Sequence, residues 1–428
     1  MTREEFRKYY GGAEPYPLDP GFVEHIRSLA SPGSDPDPER GITREEAEED
    51  IRDFFDLLGV LWAGYLYYED KVDFPGIRDG LISALPGTGT DTAALRERLY
   101  RALSPYITDT HFSFAGDLRF SRPRFGSFTG LTAERAEGGF RAVSCEGGEV
   151  PAGHVLPAED LDGLLFPTLP GPDEAQRWLV GILSDAPPET LSVGGFVLPL
   201  HRCRTDVFTP PGVPFEDREV NGIPVVSDYG YGVTPVTEWY RARGLTDPFR
   251  ETRGKAYADS PAVVWSLLGN RGGTSEYARQ FIDGLNGYAF WECDCAVLSL
   301  DNPIDGQKNT ATCVAFENGR IDLSQSRYGG RLYVLQNKDT ASAGESAVKY
   351  AASVKGTVFV GSNTSGCGQF GDTRRWRLKR SGVSFRMGYK VFNMDGFEEG
   401  TGLLPDFWLD EEDPVSVLTA WMRERGIA

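Results

Sequence analysis

The sequence lacks an excess of basic residues. Its 428 residues include 44 Lys and Arg against 63 Asp and Glu, and the formal net charge is −19. Proteins whose main partner is a nucleic acid or an anionic membrane surface bind it through basic patches that displace counterions. The acidic balance therefore argues against both of these partners.

The sequence also lacks a long apolar run. The longest uncharged apolar stretch, residues 57–68, is too short for a helix that must cross ~30 Å of hydrocarbon. The first six residues, Met-Thr-Arg-Glu-Glu-Phe, lack the apolar core of a signal peptide. We expect a cytoplasmic protein, although a secreted chain trimmed of its leader would look the same.

Cysteine is scarce, with six residues in the chain. That number is too small for a scaffold held together by disulfides. Cys293 and Cys295 are separated by one residue, whereas the common zinc knuckles separate their thiols by two to four. We therefore interpret them as buried or free thiols, and we predict neither a metal nor an organic cofactor.

The first two regions along the chain differ in pattern. Residues 1–110 are predicted to be helical, since Thr43 and Glu46 form a capping box ahead of apolar residues at helical spacing. Shorter helices are predicted around 75–84 and 92–103. Residues 111–214 carry short apolar segments between Gly and Pro clusters, for example 112–120, 140–144 and 191–200, and indicate a β-rich region that ends in a linker at 210–214.

The third region, residues 215–428, alternates predicted strands with predicted helices. Strands are expected at 262–265, 331–335 and 358–360, and helices at 276–285 and 345–353. This alternation predicts an α/β domain whose functional groups lie at the C-terminal ends of the strands.

Two turns of small residues join a predicted strand to a predicted helix. Residues 268–274, Leu-Gly-Asn-Arg-Gly-Gly-Thr, allow backbone amides to approach a ligand closely. Residues 339–345, Asp-Thr-Ala-Ser-Ala-Gly-Glu, place Ser342 at a helix N-terminus. Taken alone, the first is an ordinary structural turn and the second an ordinary helix cap.

A nucleophilic serine needs a base, and the chain offers only four histidines. His25, His154 and His201 lie in segments where a surface or core role is the simplest reading. His111 lies where the helical region gives way to the first predicted strand, and it is the candidate base, with a structural role as the alternative.

Together these segments resemble the S41 peptidases, the family of the C-terminal processing proteases and the tricorn core protease. Residues 269–273 are similar to the family's R-G-N-G-G-G turn, and 340–345 closely match its T-A-S-A-x-E nucleophile turn. Residues 360–366 resemble V-G-x-x-T-x-G, and 399–406 resemble E-x-x-G-V-x-P-D. Asp109 and His111 look like an upstream D-x-H. Apart from that pair, the resemblance spans residues 262–406, about a third of the chain.

The chain departs from the family at two places. Serine–lysine members carry the lysine 25 positions after the serine, and Cys367 stands there in this sequence. In the glycine turn, Ser266 and Leu268 replace Asp and Arg, and Arg271 replaces a glycine. The first departure favours the tricorn-like branch, in which a histidine replaces the lysine.

The resemblance implies a serine peptidase that acts on a peptide or protein substrate. Ser342 would be the nucleophile and His111 the general base, while Glu399, bridged by the Thr110 hydroxyl, would hold the imidazole. Glu398 is the rival of Glu399. The oxyanion hole would use the amides of Gly272 or Gly273 and of Ala343.

The implied fold is α/β, with a ClpP/crotonase-like catalytic core at 215–428 preceded by the helical region and the β-rich middle region. That middle region stands where processing proteases carry a PDZ module, and no PDZ signature is recognisable in it. Formation of a homo-oligomer is left open.

A basic run, residues 374–380, stands out in so acidic a chain. Such a run is usually a solvated strand face. The sharper interpretation is that Arg374 and Arg377 bind a substrate carboxylate, since a guanidinium matches that group in shape and charge.

Two other functions compete with the peptidase. A non-catalytic relative would keep the fold to bind a peptide or an apolar ligand, and the missing lysine favours it. A crotonase-type acyl-CoA enzyme would need no serine nucleophile. Reaction of Ser342 with a fluorophosphonate distinguishes the peptidase from the first, and loss of activity on replacing Ser342 distinguishes it from the second.

Overall fold

The computed structural model describes residues 1–11, 20–32, 40–116, 118–120, 122–244, 253–301, 308–316 and 319–427. The helices are α1 (Arg3–Tyr10), α2 (Pro20–Leu29), α3 (Arg44–Leu61), α4 (Tyr65–Tyr68), α5 (Phe74–Ser83), α6 (Thr92–Leu103), α7 (Val233–Ala242), α8 (Glu276–Asn286), α9 (Ala343–Ala351) and α10 (Pro414–Glu424).

The strands up to residue 207 are β1 (Ala30–Pro32), β2 (Gly41–Ile42), β3 (Thr90–Asp91), β4 (Ser113–Phe114), β5 (Leu118–Arg119), β6 (Phe125–Ala136), β7 (Gly139–Cys145), β8 (Val155–Pro157), β9 (Leu165–Thr168), β10 (Arg177–Ser184), β11 (Thr190–Val193), β12 (Phe196–Pro199) and β13 (His201–Arg202). The later strands are β14 (Phe215–Val220), β15 (Ile223–Asp228), β16 (Ala262–Ser266), β17 (Cys293–Asp301), β18 (Lys308–Phe316), β19 (Arg331–Gln336), β20 (Val358–Gly361), β21 (Phe370–Leu378), β22 (Ser384–Met394) and β23 (Phe407–Trp408).

The chain forms two compact units, each assembled from three segments. The first unit contains Met1–Arg122, Cys293–Gly319 and Cys367–Gly400, and the second contains Pro123–Glu292, Arg320–Gly366 and Thr401–Ala428. The predicted regions 1–110, 111–214 and 215–428 follow the chain in order, whereas the compact units interleave, so the three-region division stays a prediction.

The first unit is a sheet covered by helices. Its strands follow the order β1-β21-β22-β17-β18, and the β4–β5 hairpin adds to β22. The predicted capping box is confirmed, because the Thr43 hydroxyl accepts the Glu46 amide at 3.1 Å and Glu46 accepts the Thr43 amide at 2.9 Å. Helix α3 then buries Phe54 in one apolar core with Phe112 and Phe385. The helices predicted around 75–84 and 92–103 are confirmed as α5 and α6.

The second unit is built on a sheet with the strand order β14-β15-β16-β19-β20-β23-β9-β10-β6-β7-β8. Its central strands, from β15 to β23, are parallel. The predicted strands β16, β19 and β20 and the predicted helices α8 and α9 are confirmed, and the protein is a mixed α/β fold. Two of these parallel strands, β16 and β19, are each followed by one of the two turns of small residues and then by a helix, α8 after β16 and α9 after β19.

The predicted β-rich region contains short strands joined by tight turns. The segment 191–200 forms the β11–β12 hairpin rather than one strand, since Gly194 and Gly195 both adopt positive φ, 55° and 83°. Glycine adopts that conformation without steric cost. A search of the described ranges finds no helix whose length and apolar character would suit a membrane span.

Candidate active site

Ser342 lies on a sharp turn between β19 and α9 in the second unit. Its backbone has φ 53° and ψ −117°, a conformation that a residue with a side chain rarely adopts. The side chain is half-buried, and its neighbours Ala341 and Ala343 are small. Strain of this kind persists where the surrounding structure enforces it, and it is frequent at functional sites.

A buried carboxylate fixes the amide of Ser342. Glu345 is fully buried, and its Oε2 accepts the Ser342 amide at 3.0 Å. Its Oε1 accepts the Thr364 hydroxyl and the Gly366 amide, both at 2.7 Å. This single side chain therefore ties the 340–345 turn to the 360–366 segment. Glu345 belongs to the T-A-S-A-x-E motif, but the motif alone predicts no role for it.

The glycine turn contacts the serine turn directly. The Ala341 amide donates to the Asn270 carbonyl at 2.9 Å. A Cβ on Gly272, whose φ is +90°, would lie 2.7 Å from the Ala341 carbonyl oxygen and 2.8 Å from the Ala343 nitrogen. Only glycine permits so close an approach at this φ. The two turns that the sequence singled out separately thus form one local structure.

The amides predicted for the oxyanion hole differ in their hydrogen bonds. The Gly272 amide donates to the Asn270 side chain at 2.9 Å. The amides of Gly273 and Ala343 have no acceptor within the residues that the structure describes. Amides without an intramolecular partner at a helix N-terminus are suited to a developing negative charge. Gly273 and Ala343 are therefore better candidates than Gly272.

The substituted positions of the glycine turn have ordinary surroundings. The Arg271 side chain is exposed and pairs with Asp339 at 3.2 Å. Ser266 and Leu268 are buried. Asn270, also buried, is held by its side-chain amide, which donates to the Asp228 carbonyl at 3.0 Å. The hydrogen bond of Asn270 and the ion pair of Arg271 therefore anchor the turn on either side.

In the first unit, Asp109 fixes the backbone that carries His111. Its Oδ1 accepts the amides of His111 at 2.7 Å and Phe112 at 3.1 Å, and its Oδ2 accepts the indole N–H of Trp62 at 2.7 Å. Burial raises the pKa of Asp109 to about 6. The carboxylate of the D-x-H pair thus holds the main chain at His111. Trp62 lies 47 positions before Asp109, so no local sequence pattern predicts the hydrogen bond between them.

Thr110 is bound to Glu399. The Thr110 amide donates to Glu399 Oε1 at 3.0 Å, and the Thr110 hydroxyl donates to the same oxygen. Glu399 Oε2 accepts the Gln369 amide at 2.9 Å. Burial, with the charge of Asp109 as a second cause, raises the pKa of Glu399 to about 8. The rival Glu398 is exposed.

Cys367 lies against the ring of His111. Its Sγ is 3.4 Å from Nδ1 and 3.5 Å from Nε2. The N–H and lone-pair directions of the two ring nitrogens diverge, so an atom equidistant from both is aligned with neither. Burial, with the positive charge of Arg386 as a second cause, lowers the pKa of His111 to about 4. The imidazole is therefore neutral at physiological pH.

Arg374 and Arg377 lie on opposite faces of β21. Strands β21 and β22 pair in continuous register, with Arg374 opposite Met387 and Arg377 opposite Ser384. Side chains alternate between the faces of a strand, so residues three apart point in opposite directions. The Arg374 guanidinium lies 4.5 Å from the centre of the Tyr389 ring. The structure separates the two arginines that the sequence analysis assigned to one carboxylate.

Two of the other histidines and one of the other cysteines have contacts or surroundings that the structure defines. His201 Nε2 lies 2.7 Å from an Asp410 oxygen, and the His154 ring stacks edge-on against Phe196 at 5.2 Å. Burial raises the pKa of Cys295 to about 12. The described part of the chain contains no group of three or more His, Cys, Asp or Glu side chains arranged to hold a metal ion.

The chain is similar in structure to several proteases. Mature CPAF aligns over 89% of this chain and 95% of its own, at 12% identity and a TM-score of 0.48. The photosystem II D1 C-terminal processing protease aligns over 88% and 96%, at 13% identity and a TM-score of 0.38. The tricorn protease aligns over 90% of this chain and 37% of its own, at 14% identity and a TM-score of 0.42.

No protein-family model and no curated protein matches the sequence. The functional assignment of the chain therefore rests on its own motifs and on the geometry of its two units.

Proposed function

We propose that the protein is a serine peptidase of the S41 type, with Ser342 as the nucleophile and His111 as the general base. The observation that carries the proposal is the Ser342 turn. Ser342, with φ 53°, is the N-cap of helix α9. The amides of Ala343, the next residue, and of Gly273, in the adjoining glycine turn, have no acceptor within the described residues. Ser342 and Glu345 form a capping box, and any helix leaves its first amide open, so the feature that an ordinary helix cap does not require is the strained backbone of Ser342.

The proposed reaction is acyl transfer to serine. His111 takes the hydroxyl proton as Ser342 Oγ attacks the peptide carbonyl, and the Gly273 and Ala343 amides stabilise the oxyanion. The imidazolium then gives its proton to the leaving amine. His111 then deprotonates a water that attacks the acyl-enzyme, and it returns this proton to Ser342 Oγ as the bond to the acyl group breaks and the acid leaves. No metal or organic cofactor enters these steps.

Glu399 stabilises the imidazolium that forms during each step. Its contact with Thr110, the residue next to His111, supports this assignment. A neutral histidine is the form that accepts a proton, and the low pKa of His111 keeps it in that form. The parallel strands β16, β19 and β20, with α8 and α9 between them in sequence, support a ClpP/crotonase-like core.

Hydrolysis of a peptide library tests the proposed function. The wild-type protein should cleave members of the library, and Ser342→Ala should cleave none while its circular dichroism spectrum stays unchanged. Cleavage that survives in Ser342→Ala would rule out the serine mechanism. A well-folded wild type that cleaves nothing and binds peptides would favour the non-catalytic alternative.

A further inference from the structure

Three arginines form a lateral row on one face of the first unit's sheet. Arg375 is directly opposite Arg386, Arg386 is opposite Ser113, and Ser113 is opposite Arg119. Residues directly opposite each other in antiparallel strands point to the same face. Arg375, Arg386 and Arg119, here called the arginine row, therefore line one strip across β21, β22, β4 and β5.

The arginine row faces away from the apolar core. The neighbouring row is formed by Trp376, Phe385, Phe114 and Leu118, which are successively opposite one another. These four side chains belong to or pack against the core of the first unit. Because side chains alternate along each strand, the arginines occupy the other face.

Arg386 is half-buried, and no carboxylate within the described residues forms an ion pair or a hydrogen bond with it. Its Nε is buried without a hydrogen-bond partner. The nearby Asp372 is paired with Lys390, and Asp109 is occupied by Trp62 and backbone amides. Burial lowers the pKa of Arg386, and the charges of Arg375 and Arg119 lower it further, against the opposing effects of Cys367 and Asp109.

This arrangement opposes folding. Like charges directly opposite each other in a sheet destabilise it, and the buried Nε of Arg386 loses hydration without gaining a hydrogen bond. The chain has 63 acidic residues, and none that the structure describes ion-pairs with Arg386. A bound anion would supply the missing partner, and a carboxylate matches the guanidinium fork.

We infer that the arginine row binds an acidic side chain of the peptide substrate. This inference rests on the proposed function, because it assigns a specificity to the same peptidase. The row lies beside the candidate base, because Arg386 is directly opposite Ser113, two residues after His111 in the chain, and the charge of Arg386 acts on His111. An acidic side chain on Arg386 offsets that charge, so it also favours the imidazolium formed during the reaction.

Paired peptides test the inference. Each pair differs only by Glu against Gln at one position, and each peptide is made with a free and with an amidated C-terminus. For the best position, wild type should show a kcat/KM ratio of Glu to Gln of about ten or more. Arg386→Gln should bring the ratio close to one. Arg101→Gln, an exposed arginine on α6 paired with Glu97, serves as the charge-matched control and should leave the ratio unchanged.

A binding measurement separates this inference from the proposed function. The Ser342→Ala protein should bind the Glu peptide more tightly than the Gln peptide by fluorescence anisotropy, and added Arg386→Gln should remove the difference. The difference in binding can be measured even if the wild type cleaves no peptide, so the inference can be tested when the proposed function fails. Equal binding of both peptides by Ser342→Ala, or a preference that follows the C-terminal carboxylate, would overturn the inference.

A folding control completes the design. Because Arg386 has no carboxylate partner, Arg386→Gln should unfold at the same or a higher denaturant concentration than wild type. If Arg386→Gln fails to fold, Arg375→Gln is the second variant, and it should reduce the Glu preference at least threefold. If Arg375→Gln kept the wild-type preference for the Glu peptide, the arginine row would not be the binding site for the acidic side chain.

Discussion

The sulfur of Cys367 lies 3.4 Å from Nδ1 of His111. Cys367 stands 25 positions after Ser342, where the serine–lysine motif that the sequence resembles has a lysine. A thiol has the wrong charge and reach to replace a lysine amine, but it occupies the space beside the ring. Under the proposed function, Cys367 has a packing role and His111 is the base.

Cys367→Ala should keep most of the activity. The expected change in kcat/KM is within about fivefold, since the thiol takes no part in proton transfer. Alkylation of Cys367 in the wild type should abolish activity, because the adduct displaces the imidazole. Iodoacetamide treatment followed by peptide assay checks both, with Cys367→Ala as the insensitive control. A thousandfold loss in Cys367→Ala would instead make the thiol the proton acceptor.

The pH profile should reflect Glu399 rather than His111. Glu399 stabilises the imidazolium only as a carboxylate, so kcat/KM should rise as pH increases through about 8, the pKa of Glu399. His111, with a pKa of about 4, stays neutral across this range. Glu399→Gln should lower the rate and remove the rise. A rise near pH 6.5 that persists in Glu399→Gln would contradict this assignment.

The same carboxyl should make stability depend on pH. A carboxyl whose pKa is raised by folding binds its proton more tightly in the folded state, so the folded state loses stability as pH rises from about 4.5 to about 8. Glu399→Gln lacks this loss. Urea unfolding at pH 5 and pH 9 should therefore show the variant gaining about 4 kcal/mol over wild type at the higher pH. If the unfolding free energies of wild type and Glu399→Gln changed equally between pH 5 and pH 9, Glu399 would not titrate in this way.

Gly272→Ala should damage the Ser342 turn. The added Cβ meets backbone atoms of Ala341 and Ala343 at 2.7 and 2.8 Å, and φ is unfavourable for alanine. We expect a loss of about 2–3 kcal/mol in unfolding free energy and at least a tenfold lower rate. Gly80→Ala is the control, since Gly80 lies in α5 with open space around it, and it should stabilise by about 0.5–1 kcal/mol. Full activity in Gly272→Ala would show that the two turns do not act together.

Glu345→Gln should weaken the same region by another route. The glutamine oxygen can accept from Thr364 and Gly366, but its amino group then faces the Ser342 amide, and two donors meet. The expected cost is about 2 kcal/mol in denaturant unfolding, with a lower rate of Ser342 modification. Glu276→Gln, which breaks the half-exposed ion pair with Arg279 on α8, should cost less than about 1 kcal/mol. Equal costs for the two variants would contradict the anchoring role of Glu345.

Local signals in the sequence were sufficient for much of the fold. The capping box at Thr43 and the apolar spacing after it predicted α3, and short apolar runs before turns of small residues predicted β16 and β19. These signals depend on neighbours within a few positions. The interleaving of the two units depends on contacts between residues far apart in the sequence. Strands β17, β18, β21 and β22 belong to the first unit although they lie in the last third of the chain.

The site was only partly predictable for the same reason. The motifs named Thr110 and Glu399, 289 positions apart, and the structure bonds them. Nothing in the sequence showed that Trp62 would hold Asp109, or that Arg386 would lie opposite Arg375, because strand register is decided by the whole sheet. The pairing of Arg374 with Arg377 ignored the two-residue alternation of a strand.

The most direct test of the account is modification of the intact protein by a fluorophosphonate probe, with the labelled residue mapped by mass spectrometry. We predict a single adduct on Ser342, absent in Ser342→Ala and at least a hundredfold slower in His111→Ala, which keeps its fold. A protein that remains unlabelled while folded, or labelling of Ser342 at the same rate without His111, would contradict the proposed catalytic pair.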